Sequence, residues 1–501
     1  MKKIVLSLCA LSMLCSCGNE PQKSAEKLYE PTWESLREHN QNPEWFKDAK
    51  LGIYFHWGLY SVPAFGSEWY PRFMFDTENV LEEWGHGVYE HHVKTYGKDF
   101  EYQDFAPMFT AEHFDAEDWA QLFEDAGAKF AGPVASHHDG YAMWASDVNP
   151  WNVRDTGPKR DILGELFTAF DKHNLHTIAT FHHARTGQRY AKDTANWGGV
   201  NSHYPYRPDL VTSTNDPKLR YLYGNLEEEE FNKYWLDQVE EVVNKYNPDI
   251  IWFDSWLDEM PESYRQQMMA AQFNAGVKAG KETVVACKQE DLPLDIAVLD
   301  VEQGGLQEMG KNYWLTDVTL SNGAWCYTNG QVYKSLDVLV RNMIDVWSKR
   351  GIVLLNISPR ADGVINDEQR ALLHGLGQWM KANSEAIYGT RAYSIFGYGD
   401  AAHQDGHFGG QSATMEYSAS DVRFTRSADG SAFYAFVLGM PEGDSTLELH
   451  NIEGEVTGVS LLASATELEW ELSGDKLSVK TPSADKMDRV ANVFKISVAK
   501  K

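Results

Sequence analysis

Basic residues are scarce in this chain: 45 Lys and Arg stand against 73 Asp and Glu among 501 residues, a formal net charge of −28. Nucleic acid, heparin-like polymers and anionic membrane surfaces would be repelled, so a neutral substrate fits better. Low-complexity tracts, internal repeats and long flexible linkers are lacking, and a 43% hydrophobic content is ample for one large globular domain with a smaller one beside it. Only five cysteines occur, with no Cys-x-x-Cys and no His-Glu-x-x-His, which removes the common zinc signatures. What the chain has in quantity is aromatic: 17 Trp, 24 Tyr and 23 Phe. Most such rings fill cores, but flat apolar rings are also what the CH faces of sugars pack against.

The first residues read as an address. Lys2 and Lys3 precede an apolar run, Ile4 to Leu14, that is too short to span a bilayer stably and has the form of a signal peptide. Leu14-Cys15-Ser16-Cys17 resembles the bacterial lipobox, which implies cleavage before Cys17, acylation of its thiol, and a lipid-anchored protein in the periplasm or on the cell surface, the outer membrane being favoured. Residues 1–16 are then the signal peptide and 17–31 a tether. Cys287 and Cys326 remain, enough for one disulfide at most.

From about residue 32 to 392, strands alternate with helices. Strands are expected at Leu51 to Trp57, Lys129 to Ser136, His176 to Phe181, Ile250 to Phe253, Thr283 to Cys287, Ile296 to Asp300 and Val353 to Ile357. Helical periodicity covers Glu117 to Ala126, Leu163 to Phe170, Phe231 to Tyr246, Tyr264 to Ala279, Leu336 to Ser348 and Glu368 to Asn383. This order predicts an α/β fold, a (β/α)8-like barrel of the TIM type with right-handed crossovers. Beyond about Tyr393, short alternating runs separated by Asp-Gly, Gly-Asp and Glu-Gly turns predict a C-terminal antiparallel β-sandwich over residues 393–501.

The strand ends carry the chemistry. Three finish in histidine, at His56, His137-His138 and His182-His183, one in Asp254, and one in Asp300-Val301-Glu302. In a parallel barrel these positions share one pocket. Asp254 follows the apolar Ile250 to Phe253 and reads as a catalytic carboxylate, although an Asp there could also cap the next helix. Adjacent residues on a strand point to opposite faces, so each histidine pair is expected to send one imidazole into the pocket, an incomplete metal set that suits sugar hydroxyls better. No metal or cofactor is expected. A retaining glycosidase needs two carboxylates about 5–5.5 Å apart, one ionised and one protonated. The second could be Glu302, Glu308 or Glu290; Glu302 is favoured because it closely follows the apolar Ile296 to Asp300 run.

Seven motifs in order, between about Trp45 and Arg391, resemble the α-L-fucosidases of glycoside hydrolase family 29: Leu51-Gly52-Ile53-Tyr54-Phe55-His56-Trp57-Gly58, Ser67-Glu68-Trp69-Tyr70, His137-His138-Asp139-Gly140, Asp155-Thr156-Gly157-Pro158, Ile251-Trp252-Phe253-Asp254, Leu354-Leu355-Asn356-Ile357-Ser358-Pro359-Arg360, and Asn383-Ser384-Glu385-Ala386-Ile387-Tyr388-Gly389. The resemblance implies a retaining exo-enzyme that removes terminal α-L-fucose from fucosylated glycans. It makes Asp254 the nucleophile, His56, Glu68, Trp69, His137 and His138 contacts to fucose, and Trp325 the aromatic flank of the sugar's methyl-bearing edge. Three positions depart from the family's habit: Ser136 replaces Lys, His182-His183 replaces a tyrosine pair and makes His182 a contact with altered hydrogen bonding, and Lys288 offers a point charge in place of an Arg fork. These departures leave a relative such as an α-L-galactoside or a decorated fucose as a second substrate. A sugar-binding lipoprotein without turnover is the alternative of another class.

Overall fold

The computed structural model describes residues 27–79, 81–188, 202–204, 207–403 and 416–499. The expected signal peptide and Cys17 lie outside the described residues. The end of the expected tether is already seated on the barrel, for the backbone of Tyr29 exchanges hydrogen bonds with the Asn274 side chain at 2.7 and 2.9 Å.

Eight parallel strands close in sequence order: β1 Leu51–Phe55, β2 Phe130–Ser136, β3 His176–Phe181, β4 Ile250–Phe253, β5 Val284–Lys288, β6 Val298–Asp300, β7 Trp314–Thr319 and β8 Gly351–Ile357, with β8 pairing back onto β1. Most are buried on both faces, as strands lined inside and covered outside by helices must be, and so read as nearly continuous apolar runs. Tyr54, Ile178, Trp252, Leu315 and Leu354 fill the barrel interior, while a second and larger apolar layer lies between strands and helices. The barrel is thus packed through its middle and open to function only at its rim.

β7 is absent from the seven strands expected above. Its sequence, Trp314-Leu315-Thr316-Asp317-Val318-Thr319, mixes polar residues into the run. Thr316 and Asp317 are nevertheless buried, because Thr316 Oγ1 donates to Val301 O at 2.8 Å and Asp317 meets a lysine. Polar side chains with partners can line a barrel, and apolar counting passes over them.

Close packing fixes Gly132 in β2: a Cβ there would lie 1.6 Å from Ile178 O in the neighbouring β3, so a side chain would split the two strands. Helix starts are set by local caps. Asp115 accepts from the N–H groups of Glu117 and Asp118 at the head of Ala116–Asp125, and Asn366 accepts from that of Gln369 at the head of Asp367–Ala382.

The C-terminal region forms two antiparallel sheets. One has six strands, β9 Thr390–Tyr398, β10 Val422–Ser427, β11 Ala432–Val437, β13 Val456–Leu461, β14 Thr466–Glu467 and β17 Asn492–Val498, in the order β14-β13-β17-β11-β10-β9. The other is β12 Thr446–Leu449, β16 Lys476–Lys480 and β15 Trp470–Ser473. Phe424, Phe433 and Phe494 of the first share a core with Leu449, Leu477 and Val479 of the second, as in a sandwich.

This unit is bolted to the barrel by charge as well as apolar contact. Arg423 of β10 donates through Nε to Asp345 Oδ1 at 2.5 Å, and Lys349 reaches Asp345 Oδ2 at 2.9 Å, with all three side chains buried. Trp379 Nε1 adds a bond to Ala491 O at 3.2 Å.

Candidate active site

The C-terminal strand ends converge on one small cavity. β1 delivers His56, β2 delivers His137 and His138, β3 delivers His182, β4 delivers Asp254, β5 ends on Lys288, Glu302 lies two residues beyond β6, and β7 contributes Asp317. Glu68, Trp69, Arg185, Ser255 and Trp325 complete the lining from loops. A larger hollow beside Arg160 and Tyr246 lies on the helical wall and gathers no such set of strand-end groups.

Asp254 is no helix cap. Its backbone N–H donates to Phe181 O at 3.0 Å, and its carboxylate faces Lys288 Nζ at 2.9 Å through Oδ1 and His138 Nε2 and His182 Nδ1 at 3.2 and 3.4 Å through Oδ2. Burial alone would raise its pKa, but Lys288 and the two imidazoles overcome that and hold it well below the usual carboxylate range. The group is an anion.

Lys288 also meets Glu302 Oε2 at 3.1 Å and Asp317 Oδ2 at 3.3 Å. An ammonium has three N–H donors, and here each faces a different carboxylate. Burial works against the charge on Lys288, yet Asp254, Asp317 and Glu302 push its pKa well above the ordinary lysine value. The half-exposed Glu302 behaves oppositely to Asp254. Lys288 draws its pKa down, but partial burial and the charges of Asp317 and Asp254 outweigh that, and the net shift is upward. Two carboxylates thus share one cation with their pKa values driven apart, the pairing that lets one act as base or nucleophile and the other as acid.

Beneath them Asp300 is buried against Asp317, and among the described residues no N–H donor reaches either of its oxygens. Burial and the neighbouring Asp317 push Asp300 well above the carboxylate range, so it holds its proton.

The histidines are acceptors. Asn356 Nδ2 donates to Trp325 O at 2.7 Å, which fixes Asn356 Oδ1 as an acceptor, and His56 Nδ1 lies 2.8 Å from that oxygen. His56 therefore carries its proton on Nδ1 and turns a bare Nε2 outward. His182 Nδ1 faces Asp254 and leaves a buried Nε2 without a partner among the described residues. His138 Nδ1 donates to His182 O at 2.7 Å and its Nε2 faces Asp254 Oδ2 at 3.2 Å; burial lowers its pKa to about 4, against the hydrogen bond to Asp254, which raises it. Burial and the other imidazoles lower His56 and His137 as well. Glu68, whose Oε2 takes the N–H of Trp325 at 2.9 Å and that of Cys326 at 3.4 Å, is raised to about 7 by burial. A small cavity rich in unmatched acceptors, walled by Trp69 and Trp325, is complementary to a polyol with an apolar edge.

The comparisons agree with this chemistry. Residues 16–385 match the family described as Alpha-L-fucosidase, and residues 415–497 match the Alpha-L-fucosidase C-terminal domain. The chain belongs to the α-L-fucosidase family. It is 29% identical over 500 residues to Alpha-L-fucosidase of Branchiostoma floridae, with 95% of each chain covered, and 30% identical over 480 residues to Plasma alpha-L-fucosidase of Homo sapiens, covering 92% of this chain and 90% of that one. Its structure is similar to that of Thermotoga maritima alpha-fucosidase in complex with a mechanism-based inhibitor, with a TM-score of 0.73, 28% identity, and coverage of 94% of this chain and 100% of that chain. The same enzyme in complex with fucose gives a TM-score of 0.71 at 28% identity over 93% and 100%.

All the residues expected in the pocket of this family member line it: His56, Glu68, Trp69, His137, His138, His182, Asp254, Lys288, Glu302 and Trp325. One expectation fails. His137 and His138 both enter, because they lie just past the end of β2 at Ser136, where strand alternation no longer governs them. It holds for the other pair: His183 turns outward, with Nε2 3.3 Å from Trp235 O. Ser136 is buried behind the lining, and Cys287 and Cys326 are free buried thiols. Arg185, Ser255 and Asp317 were not read from the sequence. Arg185 leaves a short turn after β3 to lie over Trp69, 4.7 Å from its ring centre, and Asp317 belongs to the strand that apolar counting missed.

Proposed function

We propose that this pocket takes a terminal α-L-fucose of a glycan and releases it by double displacement with retention. Asp254 attacks the anomeric carbon, Glu302 protonates the departing oxygen, and the Glu302 carboxylate then activates the water that cleaves the glycosyl-enzyme. The observation that carries the reading is the shared ammonium. Asp254 and Glu302 meet Lys288 at 2.9 and 3.1 Å, so their nearer oxygens are no farther apart than those two contacts laid end to end. That limit is shorter than the roughly 6.5–9.5 Å of an inverting pair and accommodates the roughly 5–5.5 Å of a retaining one. His56, Glu68, His137, His138 and His182 hold hydroxyl groups, and Trp69 and Trp325 cover the apolar side of the ring.

The test is hydrolysis of an aryl α-L-fucoside and of a natural fucosylated glycan by the wild type, Asp254→Ala and Glu302→Ala, with the anomer first released read by NMR. Losing Asp254 should nearly abolish turnover of both substrates. Losing Glu302 should spare the aryl fucoside far more than the glycan, because a good leaving group needs little protonation. An inert, folded wild type that binds fucose, or release of the inverted anomer, would overturn the proposal.

The same proposal places the enzyme outside the inner membrane, held by a lipid on Cys17. The basic, apolar and Leu14-Cys15-Ser16-Cys17 segments support it. Membrane fractionation of Cys17→Ser tests it, and a variant that stays with the membrane would refute it.

A further inference from the structure

Three imidazoles meet at one place in the pocket. His56, His137 and His182 each have a ring nitrogen within 4.8 Å of the others, and all three are buried. Their ring centres are 5.4, 5.3 and 4.8 Å apart. The hydrolytic reading uses them one by one as partners for hydroxyls and gives no role to their convergence.

The hydrogen bonds around the cluster prepare these rings as metal ligands. Metal-binding histidine presents a bare nitrogen and donates its other N–H to an oxygen that fixes the ring. His56 does so through Nδ1 to Asn356 Oδ1, itself locked by the bond from Asn356 Nδ2 to Trp325 O. His182 directs Nδ1 to the Asp254 carboxylate, the carboxylate–histidine arrangement common behind bound zinc. His182 Nε2 and His137 Nδ1 are buried and have no hydrogen-bond partner among the described residues, a costly condition that a cation would relieve.

A second triad, His138, His182 and Asp254, overlaps the first. It is the poorer ligand set, since His138 spends Nδ1 on His182 O and Asp254 is already held by Lys288.

We propose that His56, His137 and His182 bind one divalent cation of the zinc type, with the fourth position open to the pocket, and that this ion and the sugar exclude one another. Zinc lies about 2.0–2.1 Å from histidine nitrogen, which sets tetrahedral ligand atoms roughly 3.3 Å apart. Small rotations of the three rings close the present gap to that spacing. Three histidines and an open site match the preference of zinc, and the imidazole ligands suit cobalt as a visible reporter. The ion would sit where hydroxyl donors are otherwise received and would tie up the ring that orients Asp254. The consequence is a hydrolase that falls silent when free zinc rises and recovers when it is chelated. The exclusion of sugar rests on the function proposed above; the metal site itself does not.

The test uses the full chain in detergent, stripped with a chelator, and titrated with Zn²⁺ by calorimetry and with Co²⁺ by visible absorption. The expected result is one ion per chain, tetrahedral Co²⁺ bands, and weaker apparent metal affinity as L-fucose is added. His56→Phe and His182→Phe should each weaken Zn²⁺ binding by more than the roughly 10–100-fold typical of losing an outer partner of a ligand. Circular dichroism and the unfolding midpoint confirm folding, and if neither variant folds, the wild-type competition with L-fucose decides alone. Absence of Co²⁺ bands, or binding unmoved by both substitutions and by L-fucose, overturns the site. A protein that binds metal through these histidines yet cleaves no fucoside defeats the proposed hydrolysis and leaves the metal site standing; an active enzyme without Co²⁺ bands does the reverse.

Discussion

The ammonium of Lys288 stands 3.1 Å from Glu302 Oε2. In the proposed reaction it is a restraint on the acid, which must keep its proton. Lys288 favours the charged form of Glu302, and only burial and the neighbouring anions Asp317 and Asp254 carry the net shift upward. The general acid is active while protonated, so kcat/KM should fall as pH rises through this raised pKa, later than for an ordinary glutamate.

Replacing the cation should move both limbs of the profile the same way. In Lys288→Met, Glu302 loses the influence that lowers it and Asp254 loses its strongest stabilising partner, so both pKa values rise. The pH profile of kcat/KM should shift to higher pH on its acid and alkaline sides, by on the order of a unit or more. A shift to lower pH would contradict the assignment of Lys288 as the shared cation.

Asp317→Asn should move the alkaline limb in the opposite direction. Asp317 raises Glu302 by its charge and also occupies one donor of Lys288. Without that charge, Glu302 gives up its proton more readily, and the alkaline limb falls to lower pH. An unchanged limb would mean that Glu302 is insulated from the buried acids below it.

Asp345→Asn should be among the most damaging single changes outside the pocket. It removes the anion facing both Arg423 and Lys349 at a site where all three side chains are buried. Breaking such a pair by removing one partner costs about 3–5 kcal/mol, which denaturant unfolding would register as a lower midpoint. A loss below about 1 kcal/mol would mean that water reaches the site and screens it.

Lys50→Met should stabilise the protein, most of all below neutral pH. Burial lowers Lys50 from 10.5 to about 7, so below about pH 7 the folded chain carries a buried ammonium that the unfolded chain keeps in water. Between about 7 and 10.5 the unfolded state binds the extra proton, wild-type stability recovers with rising pH, and the advantage of methionine shrinks. Thr390 O, which accepts from Lys50 Nζ at 3.1 Å, keeps a second donor in Arg391 Nη1 at 2.9 Å. Melting curves at pH 6 and pH 10 check the sign, and a larger gain at pH 10 would reverse the argument.

The barrel was legible wherever strands are buried on both faces, because burial there leaves a run of apolar residues and the pocket-lining groups follow directly after it. His56, His182 and Asp254 are of this kind. β7 escaped because it buries Asp317 toward the barrel interior and Thr316 toward the helices, and the burial of both depends on partners distant in sequence. Strand parity failed at His137 and His138 for a local reason: two residues beyond a strand are no longer ruled by its pleat. Arg185 could be placed only by knowing which way the turn after β3 carries it. The shared use of Lys288 by three carboxylates was equally hidden, since neither Asp317 nor its distance from Glu302 is a property of any one segment.

Arg423 and Asp345 belong to regions that a cloner would separate on reading the sequence, one in the sheet and one in the helix Leu336–Ser348. Their buried bond means the two are not interchangeable modules. A truncated barrel would present Asp345 and the apolar face around Trp379 to solvent, and a sheet moved onto another scaffold would carry a guanidinium without its counter-ion. The smallest portable form of this hydrolase is therefore both units together, and swapping sheets between relatives succeeds only where cation and anion travel as a matched pair.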